Sequence, residues 1–188
     1  MRQGTPGEVS QLVLSGNADI SIAAETVDPI PGMVMLPCYE LPRVVLTPAG
    51  HPLLRVKRLT LQKLAQYPLI TYDYSFIARS RIVRAFEAHG LAPNVVLIAI
   101  DADVIKTYVE FGLGIAVLPR MAFDAKRDRG LRVIDASHLF ESNTLHIGIR
   151  QNHYLRGYTY AFIEMFAGHL TRERVEQAIR SAASRTAA

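Results

Sequence analysis

The chain has 188 residues, 49% hydrophobic and 20% charged, an ordinary globular composition that excludes disordered, collagen-like and coiled-coil proteins. At roughly 100 to 200 residues per domain this is one large domain or two small ones, long enough to close a core. Lys and Arg outnumber Asp and Glu by 21 to 17, a net charge of +4, and the single Cys38 excludes a disulfide framework or a cysteine-based zinc cluster.

The cations form three short groups, Arg55-Lys57-Arg58, Arg79-Arg81-Arg84 and Lys126-Arg127-Arg129-Arg132, without the interleaved aromatic residues of a nucleic-acid platform. They read as solvated faces, with anion binding as the alternative. Met1-Arg2-Gln3 leads into no apolar signal segment, and no window reaches the ~18 apolar residues of a membrane span. The expectation is a cytoplasmic protein. Gln3-Gly4-Thr5-Pro6 reads as a strand end turning into a helix, as though the chain began within a domain.

Thr5 as cap, Pro6 at the first helical position, Val9, Leu12 and Val13 at helical spacing and Gly16 as stop predict a helix of about ten residues. Ala18 to Ala24, Met33 to Tyr39 and Arg43 to Thr47 are apolar runs between turn signals and read as buried strands. Thr60 to Tyr67 predicts a short helix and Leu69 to Tyr72 a strand. Phe76 to Ala88 is helical by period, with Ser80 as an alternative cap and Gly90 as its stop.

Val95 to Ile100 reads as a continuous apolar strand. Asp101-Ala102-Asp103 then opens a helix closed at Gly112, and Gly114 to Leu118 follows as a strand. Strand-helix-strand in so short a stretch calls for parallel strands and an α/β architecture. Leu131 to Ile134 and Thr144 to Arg150 add strands, and Tyr158 to Leu170 and Thr171 to Ala183 finish the chain as helices.

Catalytic signals are absent: there is no nucleophile elbow, phosphate-binding loop, zinc-protease motif or dinucleotide fingerprint. Gly112-Leu113-Gly114 follows a helix and enters a strand, the reverse of the dinucleotide order. The six histidines show no i, i+4 metal pair. Asp101 and Asp103 read as helix caps rather than catalytic carboxylates, and Cys38 as a buried, inert thiol. No enzyme activity, metal or cofactor is expected. Small or polar residues do recur between strand ends and helix starts, at Gln3-Gly4-Thr5, Tyr72 to Ser80 and Ile100-Asp101-Ala102. Helix N-termini beyond the carboxyl ends of strands suit a small anion; plain βα turns with ordinary caps are the alternative.

Several runs resemble the effector-binding domain of LysR-type transcriptional regulators: Gln3-Gly4-Thr5-Pro6, Gly16-Asn17-Ala18-Asp19, Met35-Leu36-Pro37-Cys38-Tyr39, Gly50-His51-Pro52-Leu53 and Leu64-Ala65-Gln66-Tyr67-Pro68-Leu69. Asp101 to Val109 (DADVIKTYV), Gly112 to Ile115 and the tail from Leu155 to Thr171 are similar to the CysB/Cbl branch controlling sulfur assimilation. The resemblance extends over nearly the whole chain. It implies a type 2 periplasmic-binding-protein-like fold, two Rossmann-like α/β subdomains joined by two crossing strands, with the effector in the cleft between them. Subdomain I would comprise residues 1–38 and 142–188, and subdomain II residues 39–141. The family's helix-turn-helix, its linker helix and the first strand-helix unit of subdomain I would lie outside this sequence.

The resemblance implies an effector site of Gly4, Thr5, Ala24, Leu41, Ile77, Ala78, Ser80, Ile100, Asp101 and Ala102. Ala24, Leu41 and Ile77 stand where the branch carries a threonine, an aromatic residue and a threonine. An unmet partner at a buried anion site costs on the order of 1 to 3 kcal/mol, which disfavours sulfate held by side-chain hydroxyls and suits a larger, partly apolar sulfur metabolite or, without the family's first turn, no ligand at all. Plain core packing is the alternative for Ala24 and Ile77. The implied partners are a small anionic effector of the sulfate, thiosulfate, acetylserine or adenosine phosphosulfate class, further copies of the chain as a homodimer or tetramer, and DNA only through the absent N-terminal domain. A solute-binding protein of a sulfate or sulfonate transporter shares the fold and is the alternative function.

Overall fold

The computed structural model describes residues 1–24, 30–72 and 81–186, with side chains described as far as residue 182. In chain order the elements are α1 (Pro6–Leu14), β1 (Ile20–Ala24), β2 (Met33–Leu41), β3 (Arg43–Pro48), α2 (Leu61–Leu64), β4 (Leu69–Tyr72), α3 (Arg81–Glu87), β5 (Val95–Ala99), α4 (Ala102–Glu110), β6 (Ile115–Pro119), β7 (Leu131–Asp135), β8 (Asn143–Arg150), α5 (Gly157–Phe166) and α6 (Arg172–Thr186). Single turns of 3-10 helix lie at Pro52–Arg55 and Arg120–Ala122. The chain divides into two compact units, Met1–Glu40 with Asn143–Ala188, and Leu41–Ser142.

In the first unit the strand order is β1-β8-β2, with β1 antiparallel to β8 in the register Ile20↔Ile149 to Ala24↔Leu145. Alternation sorts the side chains. Ile147 and Ile149 face α5 and α6 and join Val34, Leu36, Cys38, Ile163, Ala167 and Val175 in one core. Ser21 and Ala23 point to the other face, where α1 packs on β1.

In the second unit the order is β5-β4-β6-β3-β7. β4 runs parallel to β5 and to β6, while β3 is antiparallel to both β6 and β7. The expected parallel α/β unit is therefore present, with β4 inserted between β5 and β6 and one strand, β3, reversed. Both faces are covered, as the near-continuous apolar runs require. Val45, Leu69, Ile115 and Val117 pack under α2 and α3 with Ile82 and Phe86. Their neighbours Leu46, Ile70, Ala116 and Leu118 pack under α4 with Ile105 and Val109.

The apolar run Val95 to Ile100 forms a strand as far as Ala99, but this strand is the sheet edge: Leu97 and Ala99 pack against the core, whereas Ile98 and Ile100 are 60% and 82% exposed. A short apolar run looks alike in a central and an edge strand, because burial depends on which strand comes to lie beside it.

Three of the helices stop as their glycines imply. Gly16, Gly90 and Gly112 all have positive φ. Asn17, Leu91 and Leu113 donate back to the carbonyls of Leu12, Phe86 and Tyr108, the 6→1 bond of a Schellman motif. Gly114 answers to a different demand. A Cβ there would lie 2.5 Å from the Pro68 carbonyl oxygen, so the start of β6 approaches β4 too closely for any side chain.

Candidate functional site

In the second unit β4, β5, β6 and β7 all point the same way, so Tyr72, Ala99, Pro119 and Asp135 end them on one edge of the sheet. Ile100, Asp101 and Ala102 follow β5 on this edge. Leu41 reaches the same edge just before β3, which runs in the reverse sense. With strands about 4.8 Å apart, the β5 and β3 positions are separated by roughly 14 Å across the sheet. Leu41 is buried while Ile100 is exposed. Also on this edge is a shallow groove of about 320 Å³ lined by Pro42, Val44, Arg120, Val133 and Asp135. Its cation is steadied by the Phe123 ring, 5.4 Å from the Arg120 guanidinium carbon.

In the first unit Arg150 Nη1 donates to the Leu14 carbonyl at 3.5 Å, which ties the C-terminal end of α1 near the end of β8 and the start of β1. The N-cap of α1 consequently lies toward the other end of β1, where Ala24 sits half-buried. Gly4 and Thr5 thus share an end of their unit with Ala24. Ile77, Ala78 and Ser80, the remaining expected site residues, lie outside the described residues.

The two helix starts named by the sequence carry a feature that motif reading left out. At α1 the Thr5 N–H donates to Glu8 Oε2 at 2.7 Å, and Glu8 N–H donates to Thr5 Oγ1 at 3.3 Å. This is a capping box, legible in Thr5-Pro6-Gly7-Glu8 as the T-x-x-E spacing. The Thr5 backbone N–H holds the Glu8 carboxyl below its ordinary range.

At α4 the N-cap Asp101 accepts from Asp103 N–H at 2.7 Å. Lys106, its side chain 13% exposed, bridges Asp103 at 2.8 Å and Asp128 at 3.2 Å. Burial alone would lower the Lys106 pKa, but its bonds to the two carboxylates outweigh burial and raise it. Both helix starts therefore already hold a carboxylate of their own against their donors. Thr71, near the carboxyl end of β4, buries its hydroxyl with no hydrogen-bond partner among the described residues.

The rest of the chemistry is sparse. Cys38 is buried, and burial pushes its thiol pKa up, away from a reactive thiolate. Among the described residues no group of three His, Cys, Asp or Glu side chains is placed to hold a metal ion, and no helix is long and apolar enough to cross a membrane. Arg55, Lys57, Arg58, Arg84, Lys126, Arg127, Arg129 and Arg132 are exposed, whereas Arg81 is half-buried and pairs with Glu141 at 3.4 Å; Arg79 lies outside the described residues.

A two-unit α/β chain whose strand ends gather polar and cap residues has the organisation of a ligand-sensing domain, and solved structures agree. The cofactor-binding domain of the Cbl transcriptional regulator superposes with a TM-score of 0.86 at 38% identity, covering 95% of this chain and 78% of that one. The effector-binding domain of QuiR in complex with shikimate has a TM-score of 0.75 at 18% identity, covering 89% and 78%, a likeness of fold. Residues 1–171 match the LysR substrate binding domain family, and the chain belongs to it; the fold is the periplasmic-binding-protein-like one expected.

The transcriptional regulators SsuR and CysB of Burkholderia cenocepacia are 48% and 47% identical over 97% and 96% of this chain. CysB of Haemophilus influenzae is 42% identical over 96%. The chain spans 59%, 58% and 55% of the lengths of these relatives. They are transcriptional regulators rather than enzymes.

Proposed function

We propose that this chain is the effector-sensing part of a cytoplasmic LysR-type regulator of sulfur metabolism. Residues 1–38 with 142–188 and residues 39–141 would act as its two regulatory subdomains, relaying occupancy to DNA-binding domains outside this sequence. No bond is made or broken. The observation that carries the reading is the 48% identity to SsuR over 97% of the chain, joined to the DADVIKTYV run of α4.

The effector is a small sulfur-linked metabolite of the acetylserine or adenosine phosphosulfate class rather than bare sulfate or thiosulfate. Two observations support this. Ala24 and Leu41 offer no hydroxyl, and the donors at Thr5 and Asp103 already serve Glu8 and Asp101. A compact dianion at either helix start would meet the carboxylate that helix already holds, which repels it. The Arg120 and Asp135 groove on the carboxyl edge, floored by Val44 and Val133, suits a molecule with an anionic end, a polar or cationic end and an apolar middle.

Thermal-shift titration with sulfate, thiosulfate, O-acetylserine, N-acetylserine and adenosine phosphosulfate tests this. Stabilisation should follow RT ln(1+[L]/Kd), be larger for the last three than for sulfate, and disappear in Arg120→Ala and in Ile77→Asp while both variants stay folded. No shift with any of the five would reject a sulfur effector. Sequence-specific DNA binding by this chain that survives moderate salt would refute the division of labour.

A further inference from the structure

The hydroxyl of Thr71 is buried and unpaired. The residue is 4% exposed, and its Oγ1 has no hydrogen-bond partner among the described residues, a standing cost to the fold. Alternation along β4 fixes the side it faces: Leu69 packs under α2 and α3 and Ile70 under α4, so Thr71 faces the α2 and α3 side. Its partner in β5 is Ile98, and carrying the β4–β6 register one step past Ile70↔Ala116 sets Val117 on its other flank. Thr71 thus stands between a buried valine and an exposed isoleucine.

The same alternation sorts β5. Leu97 and Ala99 pack toward α4, which turns Val96, Ile98 and Ile100, all exposed, to the Thr71 side of the sheet. An open apolar shelf therefore adjoins a buried, unpaired hydroxyl near the carboxyl ends of two parallel strands, where α/β sheets bind ligands. The shelf has no cation of its own: β5 carries no charged residue, and the carboxylate of Asp101 follows Ile100. On α3, Arg81 is taken up by Glu141 and by the Ser142 carbonyl, both at 3.4 Å, while Arg84 and Glu87 are exposed with opposite charges. The negative charge of Asp101 disfavours an anion on the shelf. Thr47, buried and unpaired on the same face, lies toward the far end of β3, level with Arg132, and serves as the internal comparison.

We propose that Thr71, with the shelf of Ile98 and Ile100, binds the uncharged part of the effector. A short acyl or alkyl group lies over the two isoleucines, and its carbonyl or hydroxyl oxygen accepts from Thr71 Oγ1. The inference rests on the effector-sensing role given above and adds to it a residue that decides which effector is held. A ligand lacking such an oxygen leaves the hydroxyl unpaired, and an unmet polar group discriminates more strongly than a missing methyl. The anionic end of the effector then lies away from β5.

Calorimetric titration with O-acetylserine, N-acetylserine and sulfate, alongside thermal melts of the unliganded chain, tests this. Thr71→Val keeps the shape of the side chain and removes the hydroxyl. It should leave the unliganded midpoint unchanged or raise it, because an unpaired group is lost, and should weaken both acetylserines about tenfold, ~1.4 kcal/mol. Thr71→Ser should keep most of the affinity, Ile98→Ser should lower it several-fold, and Thr47→Val should not change it. A lower midpoint for Thr71→Val overturns the proposal, since the hydroxyl then serves the fold. So does undiminished affinity in Thr71→Val, or a wild-type chain that binds sulfate and neither acetylserine; both outcomes leave the sensing role standing. A wild-type chain silent toward all five compounds named above rejects a sulfur effector, and this subsite with it.

Discussion

The two units build the same kind of α/β layer with different reserves. In Leu41–Ser142 five strands carry an apolar core on each face, so Val45 and Leu46, or Leu69 and Ile70, are committed to opposite cores one residue apart. In the unit of Met1–Glu40 and Asn143–Ala188 three described strands carry one large core under α5 and α6, and the α1 face is lined by Ser21, Ala23 and Gly148 with Met33 and Met35 beside them. Among the described residues that face gathers no buried apolar cluster like the one under α5 and α6, so it contributes less buried apolar area. The better-packed sheet should thus be the more protected, and the α1 layer the first to open.

The sharpest challenge to this contrast is a cavity in each core. Phe86→Ala should cost about 3 to 5 kcal/mol and Ile163→Ala about 2 to 5 kcal/mol, both side chains being fully buried. Denaturant melts give the totals. Hydrogen exchange should place the first loss in β4 and β6 and the second in β2 and β8; equal loss of protection everywhere would erase the distinction. Next in size, Gly114→Ala drives a methyl against the Pro68 carbonyl and should cost roughly 1 to 3 kcal/mol, whereas Gly7→Ala meets open space and should not destabilise. An equal effect of the two would remove the close approach of β4 and β6 from the account.

Smaller still is the α1 cap. Thr5→Ala should cost about 1 kcal/mol and speed exchange in α1 and β1 while leaving β3 and β6 unchanged. The subtlest test is pH. The Glu8 pKa is lowered in the folded state by the Thr5 N–H, so its stabilising contribution is complete above the ordinary glutamate range and fades as pH falls through the lowered folded value. A carboxyl-carbon titration should place the Glu8 midpoint below that of an unfolded peptide, and Glu8→Gln should remove this part of the acid dependence. A midpoint at or above the peptide value would mean that the capping box does not hold in solution.

Local chemistry was legible where a residue type answers a local need. Thr5 and Asp101 are the caps and Gly16, Gly90 and Gly112 the stops that the sequence names, and the strands read at Met33 to Tyr39 and Arg43 to Thr47 lie close to the observed Met33–Leu41 and Arg43–Pro48, because cap donors, positive φ and alternation act within a few residues. Glu8 was equally legible in the T-x-x-E spacing. The exposure of Val95, Val96, Ile98 and Ile100 was not, nor was the reversal of β3 between β6 and β7. Both depend on neighbours distant in sequence.

The sequence by itself determined the helix caps and stops, the apolar strands and the family resemblance, since each is written in short runs of neighbouring residues. The tertiary structure alone decided three things: that Leu41, Arg120 and Asp135 gather on one sheet edge, that the apolar run of β5 lies at the edge of its sheet, and that Thr71 is buried beside exposed Ile98. Periodicity gives an element its faces. Only the packing of the whole chain decides which of those faces is covered.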